Sequence, residues 1–192
     1  MESDASTLTI REVLDQFFEK NNLGEDGGLN KSWAWLKVGR FYIPFPNTES
    51  RKKALVFHDI HHLVTGYRSN WKGEAEIGAW EVSTGCEDFM AAWVLDLWSF
   101  CLGLLFFPKA TYLAFIRGRR TLNLYKRTYT KEELMGMNIP EIQSKLLLDK
   151  PQTKPATAIE ILSFIGWSTV ALTSAFIPFA LPYILLGWWL MR

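Results

Sequence analysis

Residues 57–81 read FHDIHHLVTGYRSNWKGEAEIGAWE, and the only three histidines of the chain, His58, His61 and His62, fall near its start. The stretch predicts two helices joined at a glycine. Upstream, Asn47-Thr48-Glu49-Ser50 supplies helix N-capping residue types, so one helix is expected over about 50–64, stopped by Gly66. The chain restarts as a helix from Gly73 to about Thr84, and Gly85 ends it. At about 100° per residue, His58 and His62 lie roughly 40° apart, and Asp59 shares their arc while His61 falls to the other side. Two imidazoles at i, i+4 can bring ring nitrogens to one metal ion. Asp59 can add an oxygen from the same face, and Glu74 opens the next helix, where it can fold back as a fourth ligand. Such a set of two nitrogens and two oxygens suits Zn2+, and also manganese or ferrous iron. The competing reading is a polar helix face with no metal, to which His61 belongs in either case.

Around this core the composition narrows the field. The 192 residues carry 21 Lys+Arg against 20 Asp+Glu, which argues against a nucleic-acid partner. Hydrophobic residues make up 48% and aromatics 15%, too apolar for a disordered chain. Two cysteines exclude a disulfide scaffold and a Cys-rich zinc site. The polar N-terminal MESDASTLTI lacks the basic and apolar regions of a signal peptide. The near-neutral total is a cancellation. Six acids (Glu74, Glu76, Glu81, Glu87, Asp88, Asp96) and no base lie between Gly73 and Pro108, and a basic run without acids follows from Lys109 to Lys131. That run reads either as a solvated helix face or as a contact for lipid phosphates.

The remaining organisation is mostly helical, and the fold class expected is all-α. Leu8–Lys20 has helical apolar spacing, Asn21–Asn30 reads as a loop, and Trp33–Phe45 contains a short hairpin around Gly39-Arg40. Phe89–Phe107 is a 19-residue apolar stretch with one charge, Asp96, expected as a buried or membrane-facing helix. Thr130-Lys131-Glu132-Glu133 forms a capping box, and Asn138 with Pro140 starts another short helix. Residues 1–150 are thus expected to form a helical metal-binding domain, and 157–192 a hydrophobic membrane segment. Ile161–Met191 has no charged residue for 31 positions, enough for a spanning helix over roughly 161–177, then a kink at Pro178 and Pro182 and a second piece with Trp188 and Trp189 near the interface. A buried hairpin is the alternative. Lys150 and Lys154 favour the main domain on the cytoplasmic side.

Three histidine motifs compete for HDIHH. The histidine boxes of di-iron desaturases need about eight histidines, and an HD phosphohydrolase needs another upstream; the chain has three in all. A zincin HExxH would need Asp59 to replace the glutamate and a third ligand besides. The spacing His58-Asp59, His62, then eleven residues to Glu74 resembles the metal motif of the Coq-four family of ubiquinone (coenzyme Q) biosynthesis. Thr65-Gly66-Tyr67, Gly73, Trp80-Glu81 and Gly118-Arg119-Arg120 agree with it, and the likeness covers about residues 40–148.

The resemblance implies an all-helical fold, peripheral membrane association and a divalent metal on His58, Asp59, His62 and Glu74. It implies binding of a polyprenylated quinone precursor or another isoprenoid lipid, and metal-dependent loss of the ring C1 carboxylate. It also implies contact with other quinone-biosynthesis enzymes, at a bacterial inner membrane or a mitochondrial one, with a homodimer as an option. Asp59 is the candidate for a mobile ligand, and Trp93, Trp98, Phe100, Phe106 and Phe107 either wall a prenyl groove or pack as ordinary core. The uncharged tail and His61 depart from the family pattern. A lipid-binding scaffold that organises a membrane complex without catalysis needs the same ligands, and a small membrane metalloprotease is the third reading.

Overall fold

The computed structural model describes residues 7–20, 31–38, 41–126, 128–151 and 153–190. Among these, helices dominate: α1 Ile10–Lys20, α2 Glu49–Thr65, α3 Trp71–Thr84, α4 Met90–Phe106, α5 Pro108–Arg119, α6 Lys131–Gly136, α7 Ile139–Lys145 and α8 Ala158–Leu190. The exception is the expected hairpin, β1 Trp33–Val38 paired antiparallel with β2 Phe41–Pro46, in a register that sets Trp33 opposite Pro46 and Val38 opposite Phe41. Its turn at Gly39-Arg40, like the loop expected over 21–30, lies outside the described residues.

The helix boundaries follow local chemistry. Thr48 caps α2 by accepting from the Arg51 N–H, and Gly66 closes it at a left-handed φ of 79°, which glycine adopts without a Cβ clash. Asn70 caps α3 by accepting from the Gly73 N–H. The reciprocal Thr130–Glu133 box opens α6 as its sequence spacing predicts. The same device recurs where it was not anticipated. Thr157 and Glu160 bond reciprocally at the start of α8, and Thr9 and Glu12 at the start of α1. A second unanticipated element is α5. Pro108, expected only to end the apolar stretch, stands in the first turn of α5, where its missing N–H costs no hydrogen bond.

The chain forms two compact units, each woven from separate stretches. The first comprises the described residues of 1–69, 86–92 and 122–151. Here α2 packs against α1, α7 and the 3-10 turn Leu124–Lys126, and Gln143 of α7 donates to the Val64 carbonyl at 2.8 Å. Ile10, Ile60, Val64, Leu134 and Ile142 form its apolar centre, each essentially sealed from solvent.

The second unit comprises the described residues of 70–85, 93–121 and 152–192. Its main packing is α3 against α5, with α8 laid on α5 and α3. Gly118 lets α5 approach α3, since a Cβ there would stand 2.7 Å from the Trp80 carbonyl oxygen. Trp80 is fully buried and donates its indole N–H to Thr121 at 2.9 Å. Arg120 ties down the start of α8. It grips both Glu160 oxygens, at 2.6 and 2.8 Å, and donates to the carbonyls of Lys154 and Pro155. Thus one member of the basic run serves as an internal clamp, while Lys109 and Arg119 are exposed.

Beyond the clamp, α8 is one continuous helix through Pro178 and Pro182, without the second piece expected from the prolines. Its segment Ala158–Ile177 is long and apolar enough to cross a membrane, and only 6% of that window is buried within the protein.

Candidate metal centre

The histidine pair is built on one helix face. His58 and His62 stand one turn apart on α2, with Nε2 atoms 3.2 Å apart and rings nearly perpendicular. His62 Nδ1 lies 2.9 Å from the carbonyl oxygen of Tyr67, just past the Gly66 turn. A carbonyl can only accept, so Nδ1 carries a proton, and Nε2 is the nitrogen turned toward His58. Between two ring nitrogens this close, either a proton or a cation must sit. Two ligand nitrogens on a tetrahedral zinc, with bonds of about 2.0–2.1 Å, stand roughly 3.3 Å apart. The tether is the kind of outer support that fixes the tautomer of a metal-bound histidine, and Phe17 stacks on the His62 ring at 6.3 Å.

In the first unit His58 and His62, and in the second Glu81 and Asp96, are side chains that could each contribute to holding a metal ion. Glu74 sits in the first turn of α3 and is half-buried, while its neighbour Glu76 pairs with Lys72. Glu81, seven residues on, lies about 20° from Glu74 around the helix. It is 0% exposed, and Asp96 of α4 is 3% exposed, with ligand oxygens of the two within 4.8 Å. Like charges at that range favour a cation or a shared proton. Neither residue was singled out as a ligand from sequence. The signals were there: a lone acid inside an apolar run, and a glutamate two turns from Glu74.

Asp59, expected as a further ligand, is buried, and its charge acts on Arg51. Burial pushes the Arg51 guanidinium down, and the Asp59 carboxylate opposes that shift. Arg51 also donates to Asn47 Oδ1 at 2.8 Å.

His61 corrects the expectation of polar surface. It is fully buried, its Nε2 accepts the Leu124 backbone N–H at 2.9 Å, and its ring meets Tyr125 edge-on. The opposite side of α2 faces the 3-10 turn, and an imidazole acceptor there satisfies a backbone donor that would otherwise be buried without a partner. The α4 aromatics divide. Phe100 is core, against Phe115 and Phe164, and Trp93 stacks on Trp167, whereas Trp98 and Phe106 are exposed.

The chain matches no family model, no curated protein and no solved structure.

Proposed function

We propose that the protein is a membrane-anchored, metal-dependent lyase acting on the head group of a polyprenylated aromatic quinone precursor, with loss of the ring C1 carboxylate. The observation that carries the metal is the His58–His62 pair, 3.2 Å apart and oriented by the Tyr67 carbonyl. In this reading His58, His62 and Glu74 hold the ion, most simply Zn2+, with manganese or ferrous iron as the other options. When bound, the metal supplies a Lewis acid for a carboxylate or phenolate oxygen. A scaffold that only binds the lipid needs the same ligands, and the CO2 assay below separates the two. The α8 helix anchors the protein in the bilayer where a prenylated substrate resides, with the helical units on the cytoplasmic or matrix side and other quinone-pathway enzymes as partners.

The test starts with elemental analysis of the full chain purified without chelators. About one equivalent of one transition metal is expected, and less than half an equivalent overturns the reading. Release of CO2 from a polyprenylated hydroxybenzoate is then compared between wild type and His58→Ala. Metal binding without CO2 release would leave the scaffold, and CO2 release undiminished in a folded His58→Ala protein would remove the metal from the chemistry.

A further inference from the structure

The second unit carries an exposed apolar surface along α4. Along α4, Val94, Leu95, Trp98, Leu102, Leu105 and Phe106 are 47%, 40%, 44%, 39%, 61% and 68% exposed. At about 100° per residue these six fall within an arc of roughly 120°. The one charge of the helix, Asp96, lies on the other side and is buried. A surface helix in water normally turns its polar side out; α4 does the reverse.

What lies beside α4 tells what covers it. Trp93 stacks on Trp167 at 5.2 Å and Phe100 meets Phe164 at 5.9 Å, so α8 runs alongside α4 in the opposite direction. Phe164 and Trp167 are six and nine residues into the segment Ala158–Ile177 that is long and apolar enough to span. At about 1.5 Å per residue they lie roughly 9–14 Å along it. A helix that touches α8 at that depth shares its surroundings. Charge marks the ends consistently. Lys109 is exposed just after α4 ends, and the Arg120–Glu160 clamp sits where α8 begins, both suited to a head-group layer.

We infer that the outer face of α4 is embedded in the acyl chains of the same bilayer that α8 enters, so that the second unit is bedded in the membrane rather than tethered above it. The inference rests on α8 being a membrane helix, as proposed above. It gives Asp96 a meaning: an acid at membrane depth, turned inward, where intramembrane acids serve a site rather than lipid.

The experiment uses the full chain with Cys86 and Cys101 replaced by alanine, reconstituted in phosphatidylcholine–phosphatidylglycerol vesicles. Single cysteines at Val94, Trp98 or Leu102 of α4, at Ile165 of α8 and at the exposed Lys72 carry a nitroxide label. Its relaxation by oxygen, which concentrates in lipid, is compared with that by a water-soluble nickel chelate. The α4 labels are expected to match Ile165, favouring oxygen several-fold, while Lys72 favours the chelate. If Ile165 reports lipid and the α4 labels report water, the inference fails and the span stands. If the α4 labels are shielded from both reagents, protein covers the face, a second copy included, and the inference fails again. An Ile165 label in water overturns the span and the inference together.

Discussion

Helices α2 and α8 place their side chains in opposite senses. Helix α2 buries Asp59, His61, His62 and Thr65, whereas α8 exposes Ile159, Leu162 and Phe176. Each buried polar group of α2 has a defined counterpart: Leu124 N–H for His61, the Tyr67 carbonyl for His62, the His61 carbonyl for Thr65, and the Arg51 charge for Asp59. Over Ala158–Ile177 of α8 only 6% of the span-length window is buried. The contrast teaches where each helix draws its stability. A polar group goes inside only with a partner that replaces water, and an apolar helix stays outside when its surroundings are lipid.

The comparison breaks most sharply at the histidine pair. His62→Ala should lower zinc affinity by at least about 100-fold, more than losses of outer-shell partners typically cost, measured by competition with a chromophoric chelator. If affinity is unchanged, the buried polarity of α2 serves folding alone. His61→Leu should do the opposite. It leaves the Leu124 N–H buried without an acceptor, at a cost of about 1–3 kcal/mol, read by urea denaturation, while metal stoichiometry holds. Together the two variants separate the two sides of one helix.

In the second unit, Gly118→Ala should destabilise by about 1–3 kcal/mol, because a methyl would press on the Trp80 carbonyl and Ser83 and push α5 from α3. Protease resistance of the 70–85 and 93–121 segments would report it. Arg120→Ala should free the start of α8 at a smaller cost of about 1 kcal/mol, visible as faster amide exchange over 157–161, while the rest of α8 stays helical. The smallest effect concerns pH. Backbone and side-chain hydrogen bonds from Thr130 hold the Glu133 carboxyl below its usual range, and Thr9 does the same to Glu12. A lowered carboxyl contributes stability that is full above the unfolded-state value, near 4.3, and lost as pH falls through the folded one. Amide exchange at the first turns of α6 and α1 should therefore quicken on acidification below about pH 4, and Glu133→Gln should weaken this response in α6.

Much of this was legible in the chain. Thr48, Gly66, Asn70 and the Thr130–Glu133 box announce helix ends because capping is local, made between residues three or four apart. The His58–His62 spacing is likewise a property of one helix. The length and apolarity of the tail needed no structure either. What depended on residues distant in sequence could not be read so. His61 was assigned to the surface because its acceptor role involves Leu124, 63 residues away. Glu81 and Asp96 come together from two helices, and Arg120 meets Glu160 across 40 residues.

The sequence by itself determined the helical fold class, the hairpin, the imidazole pair and the presence of one span-length apolar helix. Those features follow from backbone sterics, periodicity and capping, which act within a few residues. Only the tertiary structure decided that Asp59 is buried with its charge acting on Arg51, that His61 is buried against a backbone N–H, and that α4 turns its charge inward and its apolar face out. Each of these depends on which segments fill the space beside a side chain. Long-range packing supplies that information, because desolvation and pairing of a polar group are set by neighbours that local spacing does not specify.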